Sequence, residues 1–126
     1  MVVAKELNVE VVAADRKVWS GSASIVIART PDGEVGVMAG HEPVLAVLVT
    51  GPVTVRTADG GAVVAAVSGG FLSVSEDRVA VLAEQAVLAE EVDAVGVEAE
   101  IAQLQGADDE AARQWAEARL GVASHR

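Results

Sequence analysis

The chain has 126 residues, of which 52% are apolar but only 2% aromatic, and it carries a formal charge of −10. This length bounds one domain with at most a small appendage, and the charge argues against nucleic acid and anionic lipid as partners. The absence of cysteine removes disulfides and thiolate metal sites.

With so few aromatics, the core must be built from Val, Ala, Leu and Ile. That composition suits β-structure, because β-branched side chains are stiff and fit a pleated surface. No apolar run approaches the roughly 20 residues that span a bilayer. Lys5 and Glu6 interrupt the N-terminus, so no signal-peptide core is present there. A soluble, cytoplasmic domain without lipid insertion is expected.

Taken in order, residues 7–14, 23–29, 52–57, 62–67, 71–75 and 78–83 read as strands, each short and β-branched or alternating. Turn chemistry separates them: Pro31-Asp32-Gly33, Asp59-Gly60-Gly61 and Ser75-Glu76-Asp77. Short strands about ten residues apart predict an antiparallel sandwich or flattened barrel rather than βαβ units.

Near residue 88 the pattern changes. Residues 1–88 carry ten acids and six bases, whereas 89–126 carry nine acids and three bases, so the final third holds more than half of the excess charge. The period there is helical. A first helix over about 91–105 has two apolar stripes, Val92, Val95, Ala99 and Ala102 on one side and Val97, Ile101 and Leu104 on the other. Two stripes suit a helix packed on a sister helix and a sheet together.

Gly106 is placed to end that helix, and Asp108 and Asp109 are suited to cap the next. In the second helix, Ala111, Trp115, Ala118 and Val122 form one stripe, opposed by Glu110, Arg113, Gln114 and Glu117. Helices this short are marginal alone in water, so the hairpin needs a seat. Trp115, Val92, Ile101 and Leu104 are the expected docking residues. The expected domains are therefore a sandwich over 1–88 and a two-helix unit over 89–126.

Candidate chemistry is sparse. The stretch GEVGVMAGHEP (33–43) holds three glycines and a histidine. A phosphate cradle needs its glycines between a strand and a helix N-terminus, whereas Gly33 and Gly36 here flank strand-like Glu34-Val35. A metal site needs a second ligand at helical spacing, and the only other histidine is His125. Ser68-Gly69-Gly70 and Trp19-Ser20-Gly21 offer serines, but His41 is the sole available base and neither serine sits in a strand–turn–helix elbow. No catalytic residue, cofactor site or metal site is visible. What remains is a turn, Thr30-Pro31-Asp32-Gly33, that lifts Glu34 to a hairpin tip.

Four segments together resemble the epsilon subunit of bacterial and chloroplast F-type ATP synthases. They are Val18-Trp19-Ser20-Gly21, then Gly33-Glu34-Val35-Gly36-Val37 with Gly40-His41-Glu42-Pro43-Val44-Leu45, then Val67-Ser68-Gly69-Gly70-Phe71-Leu72-Ser73-Val74, and Val79-Ala80-Val81-Leu82-Ala83. The resemblance covers about residues 7–105 in order and spacing. It implies an all-β sandwich of about ten strands followed by a C-terminal α-helical hairpin, and a central-stalk subunit on the cytoplasmic face of the membrane with no chemistry of its own.

The implied partners are the gamma subunit and the c-ring, with alpha and beta reached through the hairpin. On matched positions Glu34, with Val35 and Gly36, falls at the rotor-ring contact, and His41 lies in the loop near the gamma and c-ring end. The chain departs from the family pattern at Ala39, where proline is common, and at Gly96. There an ATP-binding Ile/Leu-Asp-x-x-Arg-Ala element has its arginine, and here Val92-Asp93 is followed by Gly96. ATP binding to the hairpin is therefore not expected. An acidic tail with only Arg113, Arg119 and Arg126 is also poorly suited to an acidic catalytic surface. The competing reading is a free-standing ligand-binding sandwich with the hairpin as a lid; a metal-dependent enzyme stands third.

Overall fold

The computed structural model describes residues 6–124. His125 and Arg126 lie outside the described residues. Among the described residues seven strands, β1 (Leu7–Ala13), β2 (Lys17–Thr30), β3 (Gly33–Met38), β4 (Val44–Thr57), β5 (Ala62–Ser75), β6 (Arg78–Ala83) and β7 (Ala86–Leu88), precede a 3-10 turn (Ala89–Glu91) and two helices, α1 (Ala94–Leu104) and α2 (Glu110–Ala123).

The strands run β1-β6-β5-β4-β2-β3, with β7 also on β5, and β1 pairs with both β6 and β2. The ladder therefore closes on itself. Every pairing is antiparallel except β1 with β6.

The expected β-sandwich followed by a helical hairpin is present, and its described strands number seven because β2, β4 and β5 each run 14 residues. Each changes its inward face partway along. In β5, Val63 and Val67 point to the core, yet so do Leu72 and Val74, which have the opposite parity. In β4, Leu48 is inward and then Val53 and Val55 are. Side chains alternate with period two, so a change of parity means a bend that hands the strand from one layer to the other. Segments 62–67 and 71–75, expected as separate strands, are thus two arms of one strand.

The β5 bend is Ser68-Gly69-Gly70. Gly69 and Gly70 take φ of +88° and +127°, and a Cβ on Gly70 would stand 2.0 Å from the Leu82 carbonyl oxygen. Only glycine permits that approach. Ser68 is bound into the strand pairing, its backbone N–H donating to the Gln85 carbonyl at 3.0 Å and its Oγ accepting from the Gln85 N–H at 3.0 Å. The Trp19-Ser20-Gly21 element is similarly steric, because the Trp19 ring lies 2.8 Å from where a Gly21 Cβ would be.

The core holds Leu7, Val9, Val11, Val26, Val37, Val53, Val55, Leu72, Val79 and Val81, all essentially sealed from solvent. A second cluster joins the helices to β5 through Ala66, Ala89, Val92, Val97, Ala116, Val122 and Ala123. Asp109 caps α2, its Oδ1 accepting from the Ala112 N–H at 3.1 Å. At the hairpin bend Gly106 takes φ +78°.

Candidate partner-contact surface and hairpin seat

Glu34 sits one residue into β3, paired across the ladder with Arg29 and exposed. The turn before it is pinned locally. Thr30 Oγ1 donates to the Gly33 carbonyl at 2.9 Å and accepts from the Asp32 N–H at 3.2 Å. Val35 packs against the core, and Gly36 returns to the exposed side.

His41 lies beyond the other end of β3, exposed. Its Nδ1 donates to the adjacent Glu42 carbonyl at 2.7 Å, and its backbone N–H donates to the Met38 carbonyl at 3.1 Å. Glu34 and His41 are therefore not one constellation but the two ends of a six-residue strand, about 14 Å apart along it before the loop is added.

The register reveals a surface that periodicity alone did not. On the outer face, Val12 pairs with Leu82, Leu82 with Phe71, and Phe71 with Val47. Leu82, Phe71 and Val47 are 45%, 48% and 55% exposed, and Leu45, two residues along β4, is 69% exposed. An open apolar band thus crosses three strands, with half-buried Val12 of β1 at its edge. Phe71 is the only phenylalanine of the chain, and it faces out while its neighbours Leu72 and Val74 face in. That alternation in FLSVS was the available signal. Contiguous exposed apolar groups of this kind mark contact surfaces.

The hairpin seat differs from the sequence expectation in three respects. Val97 is buried and Ile101 and Leu104 are half-buried as one stripe, but Val95 is 77% exposed and Ala99 and Ala102 are also exposed. Only Val92 of that second stripe is buried, because α1 rests on α2 and the sheet is met by α2. Ala111 is exposed, and the sealed positions of α2 are Ala116, Val122 and Ala123. Small residues line the seat: Ala116 of α2 and Ala66 of β5 are both fully sealed in the same cluster.

Trp115 is half-buried at the rim rather than sealed. The Arg119 guanidinium lies 5.3 Å from its ring centroid and also pairs with Glu100 of α1.

Among the described residues no group of three or more His, Cys, Asp or Glu is arranged to hold a metal. The recess between α1, α2 and β7 is lined by Glu91, Asp93, Gly96, Glu100 and Arg119. It presents three carboxylates, and its one guanidinium is already engaged. Asp93 crowds position 96, where a Cβ would come within 2.6 Å of its Oδ2.

Residues 6–89 match the family model described as the ATP synthase, Delta/Epsilon chain, beta-sandwich domain. Over 123 residues the chain is 52% identical to the ATP synthase epsilon chain of Streptomyces avermitilis, covering 98% of this chain and 99% of that one. The chain belongs to the ATP synthase epsilon-chain family. The epsilon chain of Corynebacterium diphtheriae is 50% identical over 116 residues, 91% of each chain. In fold, this epsilon-family chain is similar to one in the cryo-EM structure of the Euglena gracilis mitochondrial ATP synthase, OSCP/F1/c-ring. The TM-score is 0.75 at 24% identity, over 100% of this chain and 85% of the other. No helix of the described residues is long and apolar enough to cross a membrane.

Proposed function

We propose that the chain is the central-stalk rotor subunit that fastens the gamma subunit to the c-ring, so that proton flow through the ring is coupled to ATP synthesis in the catalytic head. It works on the cytoplasmic face of the bacterial membrane, held there by partners rather than by lipid. The observation that carries this reading is the open apolar band Val47–Phe71–Leu82 with Leu45. Such a surface on a protein with ten excess negative charges fits a permanent protein neighbour rather than water, lipid or nucleic acid. The band docks the gamma subunit, and the Glu34 tip, with Val35 behind it and Gly36 beside it, meets the polar loops of the c-ring. His41 sits at the gamma-facing end.

The subunit does no chemistry itself. The hairpin does not bind ATP, because the recess that would take it is carboxylate-lined and its one cation is committed to Glu100 and Trp115. Contacts of the hairpin with alpha and beta are correspondingly weak. A tagged chain should co-purify from its native membranes with gamma, alpha, beta and c subunits, and calorimetry should detect no ATP binding at millimolar nucleotide. Isolation of the chain without these partners would contradict the rotor reading, and measurable ATP binding would contradict the reading of the hairpin.

A further inference from the structure

We propose that Asp77 is the positioning residue of the contact loop between β3 and β4, resting on the reading of that loop as a partner contact. The loop, residues 39–43, has little to hold it. It contains Gly40 with φ +87°, and the His41 N–H donates to the Met38 carbonyl at the end of β3. It is bordered by Met38 and Leu45, which are among the most exposed large apolar residues of the protein.

Across the gap stands the tight turn between β5 and β6. Its two central residues, Glu76 and Asp77, take φ of +50° and +63°. This is a turn geometry that glycine, asparagine and aspartate fill most readily. Asp77 Oδ1 accepts the Gly40 N–H at 2.7 Å, joining residues 37 positions apart. The Asp77 carbonyl meanwhile accepts the Asn8 N–H at 2.8 Å, anchoring the turn to β1.

The side chain at 77 is thus not needed to make the turn, which glycine would make better, nor to anchor it, which the backbone does. Its distinctive contact is the Gly40 amide. The clamp fixes the start of the loop, and with it the direction in which His41, Met38 and Leu45 are offered to the rotor.

The test uses the full chain with Asp77→Gly, which relaxes the backbone and removes the acceptor, and Asp77→Asn, which keeps both an oxygen acceptor and a side chain tolerant of the conformation. Three quantities are read: the thermal midpoint, the exchange rate of the Gly40 amide, and affinity for the gamma–c-ring subassembly stripped of its own copy. Asp77→Gly should keep or raise the thermal midpoint, speed Gly40 exchange about tenfold and weaken rotor affinity about tenfold. Asp77→Asn should stay within about threefold of the unaltered chain in both. Unchanged Gly40 exchange in Asp77→Gly overturns the clamp, and faster exchange with unchanged affinity overturns its role in presenting the loop. Should the unaltered chain itself fail to bind the stripped rotor, the rotor reading fails, while the exchange arm still decides the clamp.

Discussion

Arg16 and Glu91 join the turn between β1 and β2 to the hinge of the hairpin through a bidentate ion pair, Nη1 to Oε2 at 3.1 Å and Nη2 to Oε1 at 2.8 Å. Glu91 Oε1 also accepts the Leu88 N–H at 2.9 Å, and Arg16 Nη2 reaches the Ala86 carbonyl at 3.5 Å. The 3-10 turn that leads out of the sheet is therefore tied at its side as well as by the chain itself.

The hydrogen bond from Arg16 holds the Glu91 carboxyl below its ordinary range, helped by the Leu88 N–H, while Glu91 raises the Arg16 guanidinium in turn. A depressed carboxyl stabilises above its unfolded pKa and loses that contribution only as the pH falls through the lower folded value. Hinge exchange at Leu88 and Ala89 should therefore be flat from about pH 5.5 upward, once corrected for intrinsic rates, and rise only in acid. Glu91→Gln should raise it at neutral pH and flatten the acid limb. A hinge that loosens between pH 6 and 8 would show that another group controls it.

The hairpin seat should answer to both Ala116 and Trp115. Ala116→Leu forces extra methylenes into the sealed cluster between the helices and β5 and should cost about 1–3 kcal/mol. Trp115→Ala, removing a half-buried ring, should cost about 2 kcal/mol, less than the loss of a sealed tryptophan. Fluorescence of Trp115 in a Trp19→Phe background reports undocking as a red shift. A larger shift from a surface substitution at Val95 than from Ala116→Leu would refute this seat.

Gly70→Ala places a methyl 2.0 Å from the Leu82 carbonyl at a φ of +127°, and should destabilise the sandwich by ~3 kcal/mol or more. Urea unfolding checks this directly. A loss below about 1 kcal/mol would mean that β5 can pass β6 without the bend described here.

How much of this was legible follows from which physical signals are local. The change of period near residue 88 marks where β7 ends at Leu88 and the helical part begins. The bend of β5 reads as a break, because Ser68-Gly69-Gly70 looks like a turn in sequence and becomes a bend only when the ladder continues past it, and of β4 only residues 52–57 read as strand. Val95 was assigned to a packed stripe because Ala99 and Ala102 fit either face of a helix, and only the seat of α2 decides between them. Trp115 reads as a docking residue, and its ring packs half-buried at the rim of the seat, a degree of burial that helical periodicity does not carry. The Asp77–Gly40 contact and the Val47–Phe71–Leu82 band depend on register between strands, which a single strand's pattern does not carry.

The apolar band should be dispensable for folding and required for assembly. Phe71→Ser, at a position 48% exposed, should change the stability of the isolated chain by less than about 1 kcal/mol. Affinity for the gamma–c-ring subassembly should nonetheless fall at least about tenfold, or about 1.4 kcal/mol. Unchanged affinity would move the gamma contact elsewhere on the sandwich.

Most directly, proton-driven ATP synthesis can be measured in membrane vesicles stripped of this chain and then resupplied with it. The account predicts that synthesis is lost on stripping and restored by the unaltered chain, but poorly restored by the Phe71→Ser or Glu34→Lys forms at equal concentration. Full synthesis in vesicles that lack the chain would contradict the claim that it couples the rotor to the catalytic head.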